Sequence, residues 1–99
     1  MPYSLEQIRQ MIKPIAEEYG VEKVSVFGSY SRGTATDKSD LDLIIKKGKL
    51  RTLFQLSAFR LAVEDALRLS VDLLTTESND RLFLERIAPD EVTIYEFAG

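Results

Sequence analysis

Two aspartates stand two residues apart where a polar loop meets an apolar run. Asp40 and Asp42 open a β-prone stretch that continues to Lys46. Because side chains alternate faces along a strand, both carboxylates are predicted to point the same way, about 6.6 Å apart along the backbone. At an effective dielectric of about 20, their mutual repulsion costs about 3 kcal/mol. A hard divalent cation held by oxygen ligands would offset this repulsion.

A glycine–serine turn precedes this pair in the same loop. Gly28 and Ser29 follow an apolar β-prone run that ends at Phe27, and ten residues separate Ser29 from Asp40. Glycine lets the backbone approach a ligand closely, and backbone N–H groups bind phosphate oxygens well. Either motif alone is more typical of an ordinary turn or a solvated strand end. Their combination, with a third carboxylate at Asp72 in another apolar strand, is hard to explain by folding alone.

The order Gly28-Ser29, ten residues, Asp40-Leu41-Asp42 resembles the nucleotidyltransferase signature G-S-x10-D-x-D. The fuller stretches 28–33 and 39–43 are similar to the minimal nucleotidyltransferases (MNT), small single-domain proteins often encoded beside a HEPN-domain toxin. The resemblance covers nearly the whole chain, because MNT proteins are about this short. It implies one minimal nucleotidyltransferase domain over residues 1–99, with the polymerase β-like fold.

The resemblance also implies roles for individual residues. Asp40, Asp42 and Asp72 would be the catalytic carboxylates and would hold magnesium, two Mg²⁺ ions being expected. Asp72 would in addition orient or deprotonate an acceptor hydroxyl. The alternative for Asp72 is a strand-edge carboxylate paired with Arg or Lys. Its apolar neighbours weaken that alternative, because an ionised group within an apolar strand needs a partner.

The remaining site residues are expected to contact the nucleotide. The Gly28-Ser29 turn would bind the triphosphate of ATP, the nucleotide substrate. Arg32 would either neutralise charge on the leaving pyrophosphate or fix the loop, and the sequence does not choose between these two roles.

Composition excludes several classes of chemistry. The 99 residues include no cysteine and no histidine, so thiolate nucleophiles and imidazole bases are absent. A net charge of −3 argues against a nucleic-acid binder that works through a broad basic surface. No apolar run approaches the ~20 residues of a membrane helix, and no basic-then-apolar leader is present. These features predict a cytoplasmic protein with no membrane partner.

Helices and strands alternate along the chain. Ser4 and Gln7 predict a capping box for a helix that runs to Tyr19, within which Pro14 should bend or split the helix. The pattern predicts strands over 21–27, 40–46, 70–76 and 91–97, helices over 53–69 and 81–87, and a helical turn over 30–35. The second connection is too short for a parallel crossover with a long helix. We therefore expect an α/β (α+β) fold, a mixed β-sheet of about four strands with helices packed on it.

The helix at 53–69 has an apolar arc wider than one sheet contact requires. Its narrow polar stripe includes Arg60 and Glu64 at i,i+4 spacing. The excess apolar surface has two interpretations, additional core or a protein interface. It predicts a homodimer or a hetero-oligomer that forms through this helix.

Chain length bears on the acceptor of the nucleotide. Related antibiotic- and RNA-modifying nucleotidyltransferases hold their acceptor with an additional domain, so here another molecule is expected to present it. The resemblance implies that this partner is a HEPN toxin whose tyrosine hydroxyl takes AMP from ATP, which would make the protein an antitoxin. Two alternatives remain. One is a non-catalytic antitoxin that acts by binding alone, and the other is a nucleotidyltransferase for a small-molecule or nucleic-acid acceptor.

Overall fold

Four strands and three helices make up the described part of the molecule. The computed structural model describes residues 2–75 and 91–97. The elements are α1 (Leu5–Tyr19), β1 (Lys23–Phe27), α2 (Ser29–Arg32), β2 (Leu41–Lys46), α3 (Leu53–Leu67), β3 (Val71–Thr75) and β4 (Val92–Glu96). Each predicted strand is present with small differences at its ends. The helix predicted over 81–87 lies outside the described residues.

The strands form one mixed sheet in the order β3-β2-β1-β4. Strand β1 runs antiparallel to both β2 and β4, whereas β2 and β3 run parallel. The connection between β1 and β2 contains only the single turn α2, which suits antiparallel pairing, whereas the long helix α3 supplies the crossover that parallel β2 and β3 require. The prediction of a mixed four-stranded sheet with helices packed on it is confirmed.

Helix α1 begins at the predicted capping box. The Gln7 amide donates to the Ser4 hydroxyl at 3.2 Å, and the Ser4 amide donates to the Gln7 side chain at 2.9 Å. Pro14 lies inside one continuous helix, so of the two predicted outcomes, a bend or a split, the split does not occur. Proline removes one backbone donor, but residues on both sides of it, Ile12 and Ala16, are buried in the same core. Tertiary packing therefore keeps the two halves in one element.

Helix α3 packs beside α1 on one face of the sheet. Phe59, Val63 and Leu67 recur every four residues and are fully buried. The Phe59 ring meets the Tyr19 ring edge-to-face, with centroids 5.8 Å apart. The sheet side of this core comes from alternate residues of the central strands, namely Val24, Val26, Leu41, Leu43 and Ile45. Because strand side chains alternate, Asp42 faces away from this helical layer.

None of the helices in the described part of the chain has the length and apolarity needed to span a membrane.

Candidate functional site

The site begins at the backbone turn that ends β1. Gly28 has φ 75° and ψ −149°, a conformation that only glycine adopts readily. A β-carbon built at Gly28 would overlap the Asp42 Oδ2 atom and would lie 3.2 Å from Cγ. The register explains this contact, because Phe27 is the strand partner of Asp42. The missing side chain of Gly28 thus makes room for the Asp42 carboxylate.

A single helical turn, α2, follows Gly28 and is bonded back to it. The Ser31 hydroxyl donates to the Gly28 carbonyl at 2.8 Å, and the Arg32 amide donates to the same oxygen at 3.1 Å. Ser29 is the first residue of this turn and is half-buried. The helical turn predicted over 30–35 is present but shorter, because Gly33 ends it in the left-handed conformation at φ 76°.

Polar contacts shape the loop that leads to the carboxylates. The Thr36 amide donates to the Ser39 hydroxyl at 2.8 Å, and the Ser39 amide donates to the Thr36 carbonyl at 3.0 Å. Asp40 follows directly and is exposed, and β2 begins only at Leu41. The predicted strand start at Asp40 is therefore one residue early.

Two of the three predicted carboxylates are paired across the sheet. Asp42 on β2 and Asp72 on β3 are direct partners in the parallel register, so their side chains share one face. Asp42 is half-buried, whereas Asp72 is exposed on the edge strand. Val71 and Leu73, which flank Asp72 along the strand, lie on the opposite face of the sheet. The exposure of Asp72 leaves it accessible to an incoming group.

The electrostatics of Asp42 show how closely the acidic groups are associated. The pKa of the Asp42 carboxyl is raised above its ordinary value of 3.8, first by burial and then by the charge of Asp72. Hydrogen bonding between these two carboxyl groups raises the pKa further, and Asp40 adds a smaller repulsion. Arg32 acts in the opposite direction. The fold therefore places all three carboxylates and Arg32 in one electrostatic environment.

The donor set suits a divalent cation completed by other ligands. Among residues 2–75 and 91–97, no group of three or more His, Cys, Asp or Glu side chains is arranged to hold a metal ion. Mg²⁺ typically takes one or two protein carboxylates and completes its shell with substrate phosphates and water. The Asp42–Asp72 pair meets that requirement, and its mutual repulsion is the feature that a bound cation would remove. The residues present fit magnesium if substrate phosphates and water supply the remaining ligands.

One relation within the site was not predicted. Gly28 was expected to allow close approach to phosphate, and its contact with Asp42 was not anticipated. The only sequence signal is the antiparallel hairpin, which brings the residue after β1 beside the start of β2.

The comparison with known protein families decides the identity of the fold. The family model for polymerase beta nucleotidyltransferases matches residues 10–97, which include every residue of the site described above. This chain belongs to the polymerase beta nucleotidyltransferase family. The predicted family and enzyme class are confirmed.

Relatives of this nucleotidyltransferase include two archaeal proteins. A Methanocaldococcus jannaschii protein described as a candidate protein adenylyltransferase is 32% identical over 91 residues, covering 92% of this chain and 98% of the relative. The protein adenylyltransferase MntA of Thermococcus cleftensis is 33% identical over 79 residues, covering 76% of this chain and 80% of the relative. The nucleotidyltransferase thus matches most of the length of both relatives.

A solved structure shares the fold at low identity. It is a complex of a tri-AMPylated Shewanella oneidensis HEPN toxin with an MNT antitoxin, and the match has a TM-score of 0.70 at 15% identity. The match covers 94% of this nucleotidyltransferase and 73% of the solved chain. At this identity the likeness establishes the fold alone.

Proposed function

We propose that this nucleotidyltransferase moves AMP from ATP to a hydroxyl group of a partner protein. The partner would be a HEPN-type toxin, the acceptor a tyrosine hydroxyl, and the biological role that of an antitoxin. The observation that carries the proposal is the Asp42–Asp72 pair, set against Gly28 within the family signature. Relatives named protein adenylyltransferase support the choice of a protein acceptor.

The carboxylates would hold the metal and receive a proton. Asp40, Asp42 and Asp72 would bind magnesium, with two ions as the expected number. When bound, the metal would supply charge neutralisation at the triphosphate. Asp72, exposed at the edge of the site, would accept the proton of the acceptor hydroxyl. Its partner Asp42, held between two strands, would contribute fixed negative charge.

The turn after β1 would bind the nucleotide. The backbone N–H groups of the Gly28-Ser29 turn and the Ser29 hydroxyl would contact the phosphates. Arg32 lies close enough to lower the pKa of Asp42, and it would stabilise the negative charge of the leaving pyrophosphate.

The reaction balances without further reactants. The acceptor oxygen attacks the α-phosphorus of ATP and forms a phosphodiester bond to AMP. The bond between the α-phosphorus and the oxygen that bridges to the β-phosphorus breaks, and pyrophosphate leaves. The proton of the acceptor hydroxyl passes to Asp72. These steps require only positioning, charge neutralisation and one base, which the described residues would provide.

The direct test is transfer of label from α-labelled ATP to a co-purified HEPN partner in the presence of Mg²⁺. The wild type should label the partner and add the mass of AMP to a tyrosine-containing peptide. The double variant Asp40→Asn/Asp42→Asn should remain folded and give no label, because the metal ligands are lost. Labelling at the wild-type rate by this variant would contradict the assignment of the site.

A further inference from the structure

A short connection places β3, and with it Asp72, in the sheet. Helix α3 ends at Leu67, and Arg68 turns the chain with φ 59°. Its amide donates to the Glu64 carbonyl at 2.7 Å, which closes the helix. Only Leu69 and Ser70 then precede β3, so the direction of the strand depends on how this connection is held.

The peptide unit between Ser70 and Val71 is held from both sides. The Ser70 carbonyl accepts from the Leu41 amide of β2 at 2.9 Å. Within a trans peptide the N–H points opposite to the C=O, so the Val71 N–H points away from β2. Strand β3 is at the edge of the sheet, and no neighbouring strand in the described part of the chain lies on that side to accept this donor.

The Glu64 side chain is the acceptor on that outer side. The Val71 amide donates to its Oε2 atom at 2.8 Å, in a part-buried position. The same oxygen lies 3.8 Å from an Arg60 nitrogen, a partly exposed contact that contributes less. A carboxylate acceptor makes a stronger bond to a backbone N–H than a neutral one does. The Glu64 side chain thus links the first residue of β3 to the last turn of α3 through this hydrogen bond.

This contact bears on the site through the strand register. Leu41 pairs with Val71, and the next pair is Asp42 with Asp72. A slip of one residue would turn Asp72 to the opposite face of the sheet. Glu64 itself belongs to the helical layer on that opposite face, so it is not a further ligand for the nucleotide or the metal.

We propose that Glu64 is a positioning residue, which fixes the Ser70–Val71 peptide and thereby holds the Asp72 carboxyl beside that of Asp42. The expected effect of Glu64 on transfer rests on the proposed function. The hydrogen bond between Glu64 and Val71 does not depend on that function, because it can be measured in the absence of substrate.

Two substitutions separate the hydrogen bond from the charge. Glu64→Gln keeps an acceptor oxygen at the same reach and loses the charge, whereas Glu64→Asp keeps the charge and loses the reach. The neighbouring Asp65→Asn removes an exposed carboxylate from the same helix turn and serves as the control. Each protein is assayed for transfer well below its melting temperature, and exchange of the Val71 amide is followed by NMR.

The expected result is a loss of kcat without a change in the KM for ATP. Glu64→Asp should reduce kcat by about 10-fold to 10²-fold, since small misplacement of a reacting group has effects of this size. Glu64→Gln should stay within about threefold of the wild type, because its amide oxygen still accepts. The Val71 amide should exchange faster in Glu64→Asp than in the wild type, in Glu64→Gln or in Asp65→Asn.

Several outcomes would overturn the inference. A loss of kcat in Glu64→Gln with unchanged kcat in Glu64→Asp would assign the effect to charge. A lower melting temperature with unchanged kcat in Glu64→Asp would leave Glu64 a purely structural role. If the wild type transfers nothing, the proposed function fails, and Val71 exchange alone then decides whether Glu64 holds β3. Unchanged exchange in Glu64→Asp would reject the contact.

Discussion

At the scale of single residues, the site depends on a glycine that makes room for a carboxylate. Gly28 combines a backbone conformation restricted to glycine with a position at which a β-carbon would overlap the Asp42 carboxylate. The family signature begins with this residue, and the structure supplies a physical reason for a glycine there. Any side chain at position 28 would displace the group proposed to bind the metal.

Substitution of Gly28 should therefore damage the site more than strain alone would. Gly28→Ala should destabilise the fold by about 1–3 kcal/mol and reduce transfer by about 10²-fold, since it both strains the backbone and displaces Asp42. Gly33→Ala is the control, because Gly33 also has positive φ, at 76°, but its β-carbon would meet nothing within 4 Å. Thermal unfolding and label transfer measure the two effects. Equal activity of the two variants would show that the Asp42 contact is unimportant.

The raised pKa of Asp42 predicts a pH-dependent stability in the absence of metal. A carboxyl group whose pKa is higher in the folded state stabilises the fold at low pH, and this contribution is lost as the pH rises through the folded pKa. The asparagine side chain in the Asp42→Asn variant cannot ionise. With EDTA present, the melting temperature of Asp42→Asn should therefore rise relative to that of the wild type as the pH increases from about 3 to about 7. The variant Asp65→Asn removes the same charge outside the cluster. A difference between Asp42→Asn and wild type that does not grow with pH would contradict this account.

At the scale of elements, α3 has a buried side and an exposed side. Its buried side, built on Phe59, Val63 and Leu67, forms the core, as the apolar pattern predicted. In the first turn of the helix, Leu53 and Phe54 are more than four-fifths exposed, and we call these two residues the α3 apolar surface. Additional core was one of the two interpretations of the excess apolar surface of this helix. Leu53 and Phe54, however, are not part of the core in the described structure. The predicted interface through helix 53–69, in a homodimer or a hetero-oligomer, remains a proposal.

A single substitution on the α3 apolar surface tests that interface. Phe54→Glu should leave the melting temperature of the isolated protein unchanged, because the side chain is 84% exposed. Self-association or binding to the partner should weaken by about tenfold or more, the scale of a truncated anchor residue. Sedimentation and calorimetry measure these affinities. Phe97→Glu is the matched control, since Phe97 is 62% exposed on another part of the molecule. Unchanged affinity in Phe54→Glu would place the interface elsewhere.

At the scale of the whole molecule, the open question is whether catalysis or contact neutralises a partner. The carboxylates lie on the sheet face opposite the helical layer that carries the α3 apolar surface, so the proposed binding surface and the proposed catalytic site are on different parts of the protein. A variant can therefore lose one and keep the other. Asp72 is the suitable position, because it is exposed and contributes nothing to the core.

Asp72→Asn should separate the two modes of action. ATP·Mg²⁺ binding should persist through Asp40, Asp42 and the Gly28-Ser29 turn, while transfer falls by about 10²- to 10⁴-fold, the usual effect of losing a general base. A toxin partner would then remain active although bound. Toxin activity and the mass of the partner are the two readouts. Full neutralisation without an adduct would mean that contact is sufficient, and the enzymatic antitoxin role would have to be abandoned.

The sequence by itself determined the elements and the local motif. The alternation of apolar residues located all four strands, and the capping box located the start of α1, because these signals depend on neighbours a few residues apart. The Gly28-Ser29 turn and the Asp40–Asp42 spacing indicated the family, because this motif also lies within one short stretch of sequence. The absence of cysteine and histidine limited the chemistry to carboxylates, hydroxyls, cationic side chains and bound metal.

Only the tertiary structure decided how distant residues meet. The parallel register of β2 and β3 places Asp72 beside Asp42, and the hairpin of β1 and β2 places Gly28 against the same carboxylate. The function assigned to Glu64 also depends on an edge strand whose position no local pattern specifies. These relations arise from long-range pairing, whose register is set by burial of a whole sheet face. They are therefore not encoded in the spacing of any single motif.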